Sequence, residues 1–154
     1  MGIRRLNKRK LTFITIMFMV VIIGILLSIP MPNSNKRLNQ ERINQARIRI
    51  TKINMEIISI SLAHYEMNVG NYPTTDQGLK SLVQRPEDVS EDAWGEEPYL
   101  EEGVVPKDGW KNDFLYESPG EHLPKYDLSS KGKDKTVNTK DDIHNWPEEN
   151  EKDF

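Results

Sequence analysis

The 154-residue chain contains no cysteine. Disulfides, thiolate nucleophiles and thiolate metal sites are therefore excluded, while the compartment is left open. Histidine is scarce. His64, His122 and His144 stand far apart and fall into no metal-ligand or triad spacing. There is no glycine-rich phosphate loop and no nucleophile elbow. An enzyme thus finds no constellation to carry it. Glycine and proline are both missing from residues 34–68, which leaves that stretch free to form one uninterrupted helix.

Charge is also missing from one long segment. Residues 11–29 contain no Asp, Glu, Lys or Arg, although the chain as a whole is hydrophilic, with a mean hydropathy of −0.66. Nineteen helical residues span roughly 28 Å, close to the thickness of a bilayer's hydrocarbon core. The exit reads Ser28, Ile29, Pro30, Met31, Pro32, a poor cleavage signal, so a retained anchor fits better than a discarded signal peptide. A buried soluble helix fits less well, because the run is apolar on every side. Arg4, Arg5, Lys8, Arg9 and Lys10 precede the run and place the N-terminus in the cytoplasm, with the remainder across the membrane. The expected organisation is a basic leader (1–10), a transmembrane helix (11–32) and a globular domain (33–154).

Beyond the anchor, Ile43, Ala46, Ile50, Ile53, Ile57, Ile60 and His64 recur at spacings of three and four. They predict one apolar stripe on a helix that packs its second half on its own domain, His64 included as a packing residue. A short coiled coil is the alternative. Arg42, Arg47, Arg49, Lys52 and Glu56 lie off the stripe. Pro30 and Pro32 predict a kink where the chain leaves the membrane. Gly70 is placed to end the helix in a left-handed cap. Thr74 or Thr75 can cap a short second helix over 76–83, with Leu79, Leu82 and Val83 inward. Residues 84–113 read as irregular loop, and short strands are expected at 114–117 and 126–129.

After Arg85 the chain turns acidic, through Glu96, Glu97, Glu101 and Glu102 to a terminal "PEENEKDF", which argues against nucleic acid as a partner. Most of these acids are expected to be solvated surface. "KGKDKTVNTKDDIHNW", residues 131–146, gathers Asp134, Asp141 and Asp142 in a segment without helical or strand period. Three carboxylates and backbone carbonyls suit a hard cation, best calcium, although the spacing is not that of an EF-hand. Read alone, the loop is more simply a solvated acidic segment, and Lys133, Lys135 and Lys140 would weaken a cation there.

Together these stretches resemble the major pseudopilin family of the type II secretion system, a type IV pilin-like family. "YEMNVGNYPTTDQGLKSLV" is the most specific match, and Gly24, Pro32 and Asn33 fall at matching positions. "DGWKNDFLYESPGEH" resembles the family's Asp-Pro-Trp-Gly-Asn stretch with its following Ser-Pro-Gly. The resemblance implies an α+β fold, a long N-terminal helix packed on a small antiparallel sheet with a C-terminal calcium loop. It implies calcium ligands from the side chains of Asp134, Asp141 and Asp142 and the carbonyls of Lys131, Thr136 and Thr139, and so favours a structural calcium over a solvated loop. It also implies self-association into a filament, with minor pseudopilins, an assembly platform and a prepilin peptidase as partners, at the bacterial inner membrane with a periplasmic domain.

This sequence departs from the family pattern at four positions. Lys10, before Leu11, stands where the family's processing site has glycine, and Thr15 stands where the family carries its assembly glutamate. Lys135 and Asn138 stand where the family's loop usually has glycine. Asparagine tolerates a left-handed backbone, and lysine does so less readily. The first two departures keep open a second reading, an uncleaved, non-polymerising single-pass relative.

Overall fold

Glycine and proline punctuate the chain where its helices stop. The computed structural model describes residues 16–25 and 34–147. The chain divides into two compact units, residues 1–39 and 40–154. Residues 16–25 form a helix (α1), with Ile16, Phe18 and Val20 all more than half exposed. Among the described residues no helix is long and apolar enough to cross a membrane. Lys10, Leu11, Thr15, Pro30, Pro32 and the greater part of the leader and anchor lie outside the described residues.

Helix α2 runs Ser34–Val69, through the stretch free of glycine and proline. Gly70 ends it as expected, at φ +94 with its N–H on the Glu66 carbonyl at 2.8 Å. Thr74 then forms a reciprocal cap with Gln77: the Gln77 N–H donates to Thr74 Oγ1 at 3.2 Å, and the Thr74 N–H donates to Gln77 Oε1 at 2.8 Å. The expected 76–83 helix shrinks to a single 3₁₀ turn (η1, Leu79–Leu82), because Gly78 at φ +60 interrupts the helical path. Leu79 and Leu82 are buried as expected, and Val83 is half-buried. The 84–113 region contains one ordered turn that its composition hides, α3 (Glu91–Trp94), capped by the Ser90 side chain.

The strands are β1 (Leu115–Glu117), β2 (Asp127–Ser130) and β3 (Ile143–His144). They form one antiparallel sheet in the order β1-β2-β3, with Tyr116 opposite Leu128 and Ser129 opposite His144. The first two strands match expectation to within a residue. Strand β3 was hidden in the acidic loop, since two residues cannot show a period.

The core lies between α2 and the chain that follows it. Met55, Ile58, Leu62 and Tyr65 pack with Leu82, Trp94, Leu100, Phe114 and Leu128. Trp94 meets Tyr99 edge to face at 5.5 Å, and its Nε1–H donates to the Ser81 carbonyl at 2.8 Å.

One expectation fails here. The stripe does not face the domain: Ile43, Ile50, Ile53, Ile57 and Ile60 are 43–54% exposed, and Ala46 and His64 are exposed too. Helix α2 has a second apolar face, Thr51, Met55, Ile58, Leu62 and Tyr65, with the same three-and-four spacing, and that face builds the core. Spacing cannot choose between two such faces. The longer isoleucine row is the one left outside.

Candidate functional site

The acidic loop is built from two supports. The first is Asp108, which is 4% exposed. Its carboxylate accepts from the Trp110 N–H (2.9 Å), the Asn112 N–H (2.7 Å), Asn112 Nδ2 (3.0 Å) and Ser130 Oγ (2.6 Å). Asn112 Nδ2 also donates to the Gly132 carbonyl at 3.1 Å, which fixes the start of the loop. The same turn is tied to the helix. The Gly109 N–H donates to Thr51 Oγ1 at 2.9 Å, and Thr51 Oγ1 donates to the Arg47 carbonyl at 2.9 Å. Gly109 lies so close to α2 that a Cβ there would run into the Arg47 carbonyl. Lys111, in the place of the family stretch's glycine, takes the left-handed backbone at φ 68.

The second support is Asp127, where burial alone would raise the carboxyl pKa. The backbone N–H groups of His122 (2.8 Å) and Leu123 (2.9 Å) and the His122 ring (2.7 Å) outweigh that and hold it below the usual range. The His122 ring stacks on Trp146 at 4.2 Å, and His144 stacks on Trp146 at 4.4 Å. Two histidines that look scattered in the chain thus meet around one indole and hold the loop's exit.

Between these supports, Asp134, Asp141 and Asp142 bring carboxylate oxygens within 4.8 Å of one another. Among the described residues no Lys or Arg forms an ion pair with any of them. Three like charges this close repel by about 1 kcal/mol per pair in water and more at lower effective dielectric. Backbone donors offset part of that repulsion. Asp141 Oδ2 accepts from the Lys133 N–H (2.6 Å) and the Asp134 N–H (3.0 Å), and Asp142 Oδ2 accepts from the Asn138 N–H (2.7 Å). Asp134 Oδ1 accepts from the Thr136 N–H at 2.8 Å. Thr139 Oγ1 lies 2.9 Å from Asp141 Oδ1 and 3.2 Å from Asp142 Oδ1, and its single proton can serve only one at a time. The Asp134 N–H and the Thr139 hydroxyl keep the Asp141 carboxyl below the usual range. The donor set is oxygen throughout, and its carboxylates retain lone pairs, which is the chemistry a calcium ion takes. The Thr136 carbonyl, 3.3 Å from Thr139 Oγ1, is a third and longer claimant on that proton, and the Thr139 carbonyl accepts from the Asp142 N–H at 3.2 Å; each carbonyl keeps a lone pair for a cation. Lys131, half-buried, leads into the loop directly after β2.

Lys135 and Asn138 both adopt the left-handed conformation, at φ 64 and φ 63. Gly132 does the same at φ 61, and a Cβ there would strike the Asp141 carbonyl. The loop therefore keeps a glycine-like path with one glycine and two side-chain-bearing residues.

A family model described as "Type II secretion system (T2SS), protein G" matches residues 39–146, more than half of the chain. The chain belongs to this family. The type II secretion system core protein G of Escherichia coli strain K12 is 37% identical over 145 residues, covering 91% of this chain and 92% of that protein. The core protein G of Vibrio cholerae is 34% identical over 141 residues, covering 88% and 89%. The crystal structure of the major pseudopilin from the type 2 secretion system of enterohaemorrhagic Escherichia coli matches with a TM-score of 0.58 at 27% identity, over 77% of this chain and 98% of that one. The α+β, pilin-like fold of the protein G family is the fold seen here: a long helix packed on a small antiparallel sheet.

Proposed function

We propose that this chain is the structural subunit of a type II secretion pseudopilus, assembling through its N-terminal helix to drive protein export across the outer membrane. The observation that carries the reading is the isoleucine row on α2. A folded domain gains nothing by leaving five isoleucines open to water along one helix face, and such a patch marks an interaction surface. Burying the exposed half of each side chain contributes about 1 kcal/mol per residue. In this reading the surface serves side-by-side packing of helices in a filament core, and membership of the protein G family supports that use. The role is structural rather than catalytic.

In this reading the apolar run 11–29 holds each copy in the inner membrane before assembly, with the N-terminus cytoplasmic and the domain periplasmic. Minor pseudopilins, an assembly platform and a prepilin peptidase acting between Lys10 and Leu11 complete the machinery. Thr15 leaves the apolar segment without the family's carboxylate, so more of the assembly energy falls on the α2 row. Calcium held by Asp134, Asp141 and Asp142, with the carbonyls of Lys131, Thr136 and Thr139, locks the loop and through Asn112 and Asp108 stiffens the domain. The uncleaved single-pass reading is the second one, and Lys10 and Thr15 are the features that favour it.

The test is to replace Ile50 and Ile57 together by Asp in the full chain. The expected variant folds, with an unchanged melting temperature, and loses recovery in the sheared high-mass fraction. Undiminished assembly would contradict the reading.

A further inference from the structure

The exposed isoleucines of α2 form two rows, Ile43, Ile50, Ile57 and Ile53, Ile60, each of period seven and offset by three. That is the a/d seam of a coiled coil. In this frame Arg42 and Arg49 fall on one flank, and Asn54 and Ser61 fall on the other. Both arginines are exposed, and among the described residues neither has an ion-pair partner.

The two flanks are different. On the Asn54 and Ser61 side, the 99–106 loop raises a second wall and makes a groove of about 680 Å³. Ile57, Ile60 and Val104 give it apolar lining, and Glu101 and Glu102 charge its rim. Glu101 and Glu102 are exposed and, among the described residues, make no ion pair. They belong to a wider field: residues 86–106 contain eight acidic side chains and no Lys or Arg. The opposite field lies on the helix, where residues 40–53 carry Arg42, Arg47, Arg49 and Lys52 against Glu41 alone.

We propose that the groove between α2 and the 99–106 loop receives residues 40–53 of α2 from a second copy of this chain, with that copy's Arg49 set against Glu101 and Glu102. The proposal rests on the filament reading, which anchors every copy the same way up and so makes neighbouring helices parallel. Parallel helices put the flank preceding the seam on one against the flank following it on the other, which is the Arg-to-Glu side. The seam repeats every seven residues, about 10.5 Å of helix, so it matches itself again when copies slide by whole repeats. One repeat sets Ile50 beside Ile57 and brings Arg49 beside Ser61, whose hydroxyl donates to the Tyr99 carbonyl at 2.9 Å where the acidic rim begins. Arg42 comes beside Asn54 at the far end of that loop, where Lys107 is already paired with Asp113 at 2.9 Å. The two mating surfaces are different patches of the molecule, so the contact is head-to-tail and generates an open filament. The charges add little affinity at a solvated rim, but they fix register and reject like-charged misalignment.

The chain has no native cysteine, so engineered ones report without background. Full chains carrying Arg49→Cys and full chains carrying Glu101→Cys are co-produced in the native membrane and oxidised. The expected result is a disulfide dimer in the mixed sample that is lost when either variant is produced alone. A second arm guards against perturbation by the cysteines. Reversing Arg42 and Arg49 to Glu should abolish high-mass assembly, and adding Glu101→Arg with Glu102→Arg should restore it. If the unmutated chain assembles but the mixed dimer is absent, or equals the single-variant samples, or is replaced by a cross-link to another protein, the seating is overturned and the filament reading stands. Failure of the charge swap to restore assembly overturns it likewise. If the unmutated chain gives no high-mass assembly, both fall.

Discussion

Asp141 is the residue on which the loop closes. It takes two backbone N–H groups and the Thr139 hydroxyl, and its own backbone carbonyl packs against Gly132. Its carboxyl titrates below the unfolded value, so its contribution is present above the ordinary Asp range and is lost as pH falls through the lower folded value. A cation bound only by the folded loop stabilises the chain by linkage, about 2.7 kcal/mol at a hundred times the dissociation constant. Calcium should therefore raise the melting temperature of the full chain in detergent, and Asp141→Ala should remove most of that rise. Calorimetry with and without calcium checks it, and an unmutated chain indifferent to calcium would refute the site. Asp134, Asp141 and Asp142 could be picked from the sequence because they share one short segment. Asp108 and Asp127 could not. Their partners include local N–H groups that any turn could offer, and the partner that matters most for Asp108, Ser130, lies 22 residues away.

At the scale of elements, the helix shows what periodicity can and cannot say. The length and end of α2 were legible in the absence of glycine and proline before Gly70. Its inward face was not, because Thr51, Met55 and Tyr65 are less apolar than the isoleucines they displace from the core. What decides the face is the chain that packs on it. Gly109 seats the 108–112 turn directly on the helix backbone at Arg47, and the Thr51 hydroxyl receives its N–H. Gly109→Ala should cost about 1–3 kcal/mol by overpacking, since the obstacle is backbone and cannot turn aside. Thermal melting of the variant should fall by several degrees, and an unchanged midpoint would show that the turn yields freely. The sheet follows the same logic. Strands β1 and β2 were legible from their flanking turns, whereas β3 is two residues defined by their pairing with Ser129 and Ser130. Asn145 continues that contact, its side chain accepting from the Leu128 N–H at 2.9 Å and its N–H donating to the Leu128 carbonyl at 3.0 Å.

At the scale of the whole molecule, a single domain accounts for only part of the sequence. The core satisfies one face of α2, and the exposed isoleucine face is the one that the proposed filament would cover. Membership of the protein G family gives that contact its setting. Lys10 and Thr15, by contrast, are the positions at which a subunit that is processed and assembled would differ from one that stays in the membrane. The most direct test is the intact mass of the chain recovered in the sheared, high-mass fraction of its native envelope. The account predicts a chain that begins at Leu11 and is abundant in that fraction. A chain that stays in the membrane as a monomer and still carries residues 1–10 would contradict it.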